Sequence, residues 1–199
     1  ADTFGRQLSI QAKSYATVLN MAKRKEKALA CTPAIIPIPP GYLRRISDPF
    51  GPRLHPVYKV RIMHNGLDLA AKTGTPVVAP ADGKVVKVSY CCRGGGNFIT
   101  IDHGLEYITK YLHLHSTNVT VGQKVVRGQR IGAVGSTGRA STAPHLHYEV
   151  IQKLPYTKRG RLRIRKKHVD PALYFYSDLS AKEYNTLLQL AARRIAPTS

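Results

Sequence analysis

From about residue 44 to residue 152 the chain never sustains a long apolar run. Short β-branched segments alternate with glycine turns instead. Val77-Val78, Lys84 to Tyr90, Phe98 to Asp102, Tyr107 to Leu114, Val125-Val126, Ile131 to Val134 and Leu146 to Ile151 are divided by Ala81-Asp82-Gly83, Gly94 to Asn97, His103-Gly104 and Arg127-Gly128. Many short strands at this spacing predict an antiparallel β domain. The fold class is therefore mainly β, with the β domain assigned to residues 44–176.

The flanks have a different texture. Phe4, Leu8, Ala12, Tyr15, Val18, Leu19 and Ala22 recur every three or four positions, so residues 3–30 read as an amphipathic helix within a segment 1–32. The stretch 33–43 opens with four prolines between Pro33 and Pro40 and reads as an extended connector. Residues 177–199 are expected to form a C-terminal helix. Ser180 and Glu183 fit a capping box, Leu179 and Tyr184 a hydrophobic staple, and Leu187, Leu188, Ala191 and Ile195 an apolar stripe.

Residues 153–168 hold eight Lys/Arg and no acid. Arg161-Leu162-Arg163-Ile164-Arg165 alternates with period two, as a strand with one basic and one apolar face would, and Gly160 supplies a turn before it. The whole chain carries a net charge of +20, which favours polyanionic partners but says nothing about fold. Recognition of a specific nucleic acid is not expected, because no recognition helix or stacking motif accompanies the charge. No apolar run approaches the ~20 residues that span a bilayer. Cys31, Cys91 and Cys92 make neither a disulfide framework nor a zinc spacing, and their pairing stays open.

Five of the eight histidines fall in three short clusters: His64 to Asp68, His113-Leu114-His115, and His145-Leu146-His147. On a strand, His145 and His147 point to the same face, roughly 6.6 Å apart. That spacing suits one metal ligand and one outer group facing the same bound water. His64 and Asp68 supply two further ligands from a glycine-containing loop. Two imidazoles, one carboxylate and an open position are typical of catalytic zinc, whereas structural zinc is closed by four protein ligands.

The segments Phe50 to Pro56, His64 to Ala70, Gly74 to Val77, Ala81-Asp82-Gly83, Tyr111 to Leu114, Gly135 to Gly138 and Pro144 to Val150 resemble the lysostaphin/LytM-type zinc metalloendopeptidases in order and spacing. The resemblance covers about residues 44–152 and points toward membrane-anchored Gram-negative members. It implies an antiparallel β-sheet groove with flanking N- and C-terminal α-helices. It makes His64, Asp68 and His147 the ligands of Zn2+, and His113 and His145 the catalytic histidines. The implied reaction is hydrolysis of peptide crosslinks or stem peptides of peptidoglycan by a metal-activated water. The implied location is the periplasm or cell envelope, with inner-membrane association through a segment not present in these residues. His115 and Ala143 depart from the usual family residues without removing a ligand. Glu149 shares a strand face with His145 and His147, where it either bonds an imidazole or packs as a polar residue.

The alternative is a non-catalytic cell-wall-binding or hydrolase-activating domain of the same fold, which usually lacks a ligand. A biotinyl or lipoyl carrier fits less well, because neither Met21 nor Met63 stands beside a hairpin lysine. Oligomeric state is open.

Overall fold

The computed structural model describes residues 2–54, 60–91, 94–104, 106–139, 141 and 143–176. Helix α1 (Asp2–Ala30) is followed by thirteen strands: β1 (Arg45–Asp48), β2 (Gly51–Leu54), β3 (Arg61–His64), β4 (Leu67–Ala70), β5 (Pro76–Val78), β6 (Gly83–Ser89), β7 (Phe98–Asp102), β8 (Tyr107–Leu112), β9 (Leu114–Thr117), β10 (Lys124–Val125), β11 (Arg130–Val134), β12 (His145–Lys158) and β13 (Arg161–Val169). A 3-10 turn over Pro171–Tyr174 ends the described chain. The main antiparallel sheet runs β1-β4-β12-β8-β7-β6-β10, with β13 also on β12. A three-stranded sheet, β5-β11-β9, and the β2-β3 hairpin complete it.

The long strand β12 organises everything that matters here. One edge pairs with β8 from His147 to Gln152. The other pairs with β4 from His145 to Tyr148, and then with β13 from Val150 outward. Alternation along β12 sorts its side chains. Leu146, Tyr148 and Val150 are fully buried in the core with Leu69, Ile99 and Tyr111. His145, His147 and Glu149 emerge on the opposite face. Tyr148 packs between Tyr111, at 5.5 Å between ring centroids, and Phe175, at 6.1 Å. The Asp170 carboxylate caps the 3-10 turn by accepting from the Ala172 amide, which seats Phe175 under the sheet. The core thus forms a rigid floor beneath the histidine face.

Helix α1 is exposed along its length from Arg6 to Leu29. Its C-terminal end is fixed to the domain. The Arg127 guanidinium donates to the carbonyls of Leu29 and Thr32 at 2.6 and 3.1 Å, and the Asp82 amide donates to Ala30 at 2.9 Å. A cation on the open carbonyls of a last turn is favourable both as a hydrogen bond and toward the helix dipole.

The expectation of helices on both flanks is corrected. Among the described residues the architecture is a mainly-β sheet groove with a single α-helix, α1, on the N-terminal side. The expected C-terminal helix falls on residues 177–199, outside the described residues. After β13 the described chain makes only the 3-10 turn, capped by Asp170.

Candidate metal centre

The site lies where β4 and β12 pair. His147 sits directly opposite Asp68 in the register, and His64 ends β3 one tight turn before β4. Asp68 Oδ1 lies 2.7 Å from His147 Nδ1 and 3.3 Å from His64 Nε2, and those two nitrogens are 3.1 Å apart. The edge of a tetrahedron around zinc with bonds of ~2.0–2.1 Å is about 3.3 Å. The three atoms therefore already occupy one face of such a tetrahedron.

Proton positions follow from the partners of the outer nitrogens. His64 Nδ1 is 2.7 Å from the Pro49 carbonyl, His113 Nδ1 is 2.8 Å from the Thr137 carbonyl, and His145 Nδ1 is 2.7 Å from the Ala143 carbonyl. A carbonyl only accepts, so each Nδ1 carries the proton and each neutral ring keeps a bare Nε2. His147 is reversed. Its Nε2 faces Glu149 Oε1 at 3.3 Å and its Nδ1 faces Asp68 Oδ1 at 2.7 Å, so in the metal-free protein both nitrogens donate to carboxylates, and Nδ1 is the one that would give up its proton to a cation. His64 Nε2 lies 3.1 Å from His147 Nδ1 with Asp68 Oδ1 beside both, a space that a proton on Nδ1 fills in the metal-free protein and that a cation would take over. The donor set fits zinc on this ground: two imidazoles and one carboxylate, with the fourth position free of protein.

Glu149 is itself held in place. Lys110, opposite it on β8, approaches at 2.9 Å, and His168 of β13 at 3.1 Å. Burial pushes the Glu149 carboxyl up, but bonds from His147 and Lys110 hold it down at about 2. Burial likewise opposes charge on His147, yet its bonds to Asp68 and Glu149 outweigh this and hold its pKa up to about 9 in the metal-free protein. Asp68 is buried too, and His147 and His64 hold it well below the carboxylate range.

His113 and His145 form a second layer. Their rings are 4.8 Å apart, and His113 lies 6.1 Å from His147. His145 Nε2 reaches to 3.8 Å from Asp68 Oδ1. His113 links β8 to β9 with φ +62°, a costly conformation for a residue with a Cβ. It is imposed from outside: the His113 amide donates to Gly95 and that of Leu114 to Asn97. Burial pushes the His113 imidazole down to about 4, so it is neutral at pH 7.

All five residues expected from the sequence come together. His115, one position past Leu114, is exposed. Lys110 and His168 were not expected, because the register that brings them to Glu149 joins distant parts of the chain. Period-two alternation from Arg161 was the one available hint that His168 lies off the arginine face.

A model of Peptidase family M23 matches residues 62–171, more than half of the chain. The chain belongs to Peptidase family M23. Within that family it is 54% identical over 108 residues to peptidoglycan DD-endopeptidase ShyA of Vibrio cholerae, covering 54% of this chain and 25% of that protein. A crystal structure of a zinc-containing peptidase from Vibrio cholerae superposes with a TM-score of 0.56 at 40% identity, covering 67% of this chain and 39% of that one. The catalytic domain of lysostaphin from Staphylococcus simulans gives 0.54 at 34% identity, covering 67% of this M23 chain and 91% of that domain. The chain spans about a quarter of the length of the curated relatives it matches.

Proposed function

We propose that this chain is a zinc-dependent endopeptidase that hydrolyses the peptide crosslinks of peptidoglycan in the cell envelope. The observation that carries this reading is the convergence of four imidazoles and one carboxylate, two of the imidazoles lying outside the ligand set. His64, Asp68 and His147 hold the zinc; His113 and His145 are the catalytic histidines. When bound, the zinc supplies a water acidified toward pKa ~7 and a Lewis acid for the scissile carbonyl. His113 and His145 present Nε2 atoms whose other ring nitrogen is fixed on a carbonyl. Between them these bare Nε2 atoms orient the attacking water and take its proton, and the imidazolium so formed passes that proton to the leaving amine.

The names of the Vibrio relatives support a DD-crosslink as the bond cut, here a D-alanyl–diaminopimelate link rather than a glycine bridge. No helix among the described residues is long and apolar enough to cross a membrane. The test is mass spectrometry of purified peptidoglycan after digestion. Crosslinked dimers should convert to monomers, the conversion should stop with a chelator and resume with added zinc. Dimers that persist under zinc-replete conditions would overturn the reading.

A further inference from the structure

Beyond the Gln152–Tyr107 pair, β12 leaves β8 behind and continues with β13 alone. The register of this ribbon is unbroken to Lys158–Arg161, and its two loop residues, Arg159 and Gly160, both have positive φ. Such a turn matches the twist of the strands it joins. Unbroken register lets the faces be assigned. Arg161, Arg163, Arg165 and Lys167 share one face with Lys158, and Leu162, Ile164 and Lys166 share the other with Lys153, Pro155 and Thr157. The Arg165 guanidinium lies 5.8 Å from the Tyr156 ring, a contact that places both on the basic face.

The ladder is unfavourable by itself. Like charges on alternate residues lie about 6.6–6.8 Å apart along a strand. Lys158 stands directly opposite Arg161, a destabilising cross-strand pair. Residues 153–168 contain no acid to offset this. The same strand carries His145 and His147 toward its other end, on the opposite face from the arginines. Eleven residues at about 3.3 Å put Lys158 roughly 36 Å from His147. That is too far to touch the bond being cut, but it suits a neighbouring part of the same polymer.

We propose that the basic face of the β12–β13 ribbon holds the carboxylate-bearing stem peptides of peptidoglycan away from the scissile bond. This rests on the peptidoglycan reading above. Arginine forks match carboxylates in paired hydrogen bonds, and a row of them matches a polymer whose carboxylates repeat. Charge on this face raises the concentration of an insoluble polymer around the domain and leaves the chemical step untouched. Such attraction is screened over about 8 Å at physiological ionic strength.

The experiment compares pelleting with hydrolysis. Arg161→Gln, Arg163→Gln and Arg165→Gln are combined, and a second variant combines Leu162→Ser and Ile164→Ser on the opposite face. Pelleting with purified peptidoglycan sacculi is measured across a salt series in a His113→Ala background, which keeps the polymer intact. The arginine variant should bind at least about tenfold more weakly at low salt, with the difference closing as salt rises. The opposite-face variant should pellet normally. Both, with His113 restored, should hydrolyse a short soluble crosslinked muropeptide within about twofold of the wild-type rate. Unchanged pelleting of the arginine variant, or equal loss in the opposite-face variant, would overturn the proposal. So would equal or tighter binding to duplex DNA or to phosphatidylglycerol vesicles at the same salt, which would assign the face to another polyanion. Pelleting needs no turnover, so a wild type that fails to cut the soluble fragment would sink the peptidase reading separately.

Discussion

His147 and Glu149 lie two residues apart on one face of β12, with Nε2 of the imidazole 3.3 Å from Oε1 of the carboxylate. That contact fixes which nitrogen of His147 can meet a metal. The carboxylate keeps a proton on Nε2, so Nδ1 is the nitrogen that would turn its lone pair to a cation beside Asp68 and His64. Lys110 and His168 in turn keep Glu149 from rotating away. Groups that orient a metal-bound histidine typically contribute 10–100-fold in metal affinity. Glu149→Ala should therefore weaken zinc by about that factor in chelator competition. Glu149→Gln should recover much of the loss, since its amide oxygen still accepts from Nε2. Equal zinc affinity in wild type and Glu149→Ala would show that Glu149 does not position His147.

Gly66 allows the His147 ring to sit where it does. A Cβ at this position would meet the Tyr148 carbonyl oxygen at 2.6 Å and His147 Nε2 at 2.8 Å. The carbonyl cannot yield cheaply, because Tyr148 is paired with Leu67 between β12 and β4. The ring can yield only by leaving its bonds to Asp68 and Glu149. Gly66→Ala should destabilise the fold by about 1–3 kcal/mol, the usual range for forced overpacking. It should also lower zinc occupancy, measured by metal analysis of the purified protein. Full occupancy with an unchanged melting temperature would contradict this packing account.

The proposed catalytic pair, His113 and His145, can be separated from the ligands by what each variant retains. His113→Ala and His145→Ala leave the His64–Asp68–His147 group intact. Each should keep about one equivalent of zinc and lose roughly 10²- to 10⁴-fold in rate on a crosslinked muropeptide. His64→Ala should lose the metal and the activity together. A His113→Ala enzyme that cuts at the wild-type rate would remove that residue from the proposed reaction.

What could be read from the sequence follows the range of each interaction. His64 and Asp68 were legible because four residues and a glycine turn confine them to one neighbourhood. His145 and His147 were legible because a strand puts alternate residues on one face, and the same rule exposed the basic face of β13. The choice between those two histidines as ligand rested on resemblance alone. In the structure it turns on distance: His147 Nδ1 lies 2.7 Å from Asp68 Oδ1, whereas His145 Nε2 reaches only to 3.8 Å. Glu149 stayed ambiguous because Lys110 and His168 reach it only through strand register. The amphipathic pattern of α1 foretold a helix but not what its apolar positions would touch, and Leu8, Tyr15 and Leu19 are exposed.

A pH dependence of stability should arise far from the metal, at His103. This side chain is 1% exposed. Its Nδ1 is 2.8 Å from the Asp82 carbonyl and therefore carries the proton. Its Nε2 then accepts from the Thr109 hydroxyl at 2.7 Å, and Thr109 accepts from the buried Tyr111 hydroxyl at 2.7 Å. The chain of bonds is complete only with a neutral ring. Burial lowers the His103 pKa below its ordinary 6.5, against the opposing pull of the Asp82 carbonyl. In the window between the lowered value and 6.5, the unfolded chain binds more protons than the folded one. Stability therefore rises with pH through that window and falls as pH drops below about 6.5. His113, also lowered, adds to the same acid-side loss, so the contribution of His103 must be read as a difference. His103→Gln can still donate to Asp82 and accept from Thr109, but it has no proton to gain. Its melting temperature should lie below that of wild type at pH 7.5, and the gap should narrow as pH falls to 5. A gap that stays constant from pH 7.5 to 5 would show that His103 does not titrate differently in the two states.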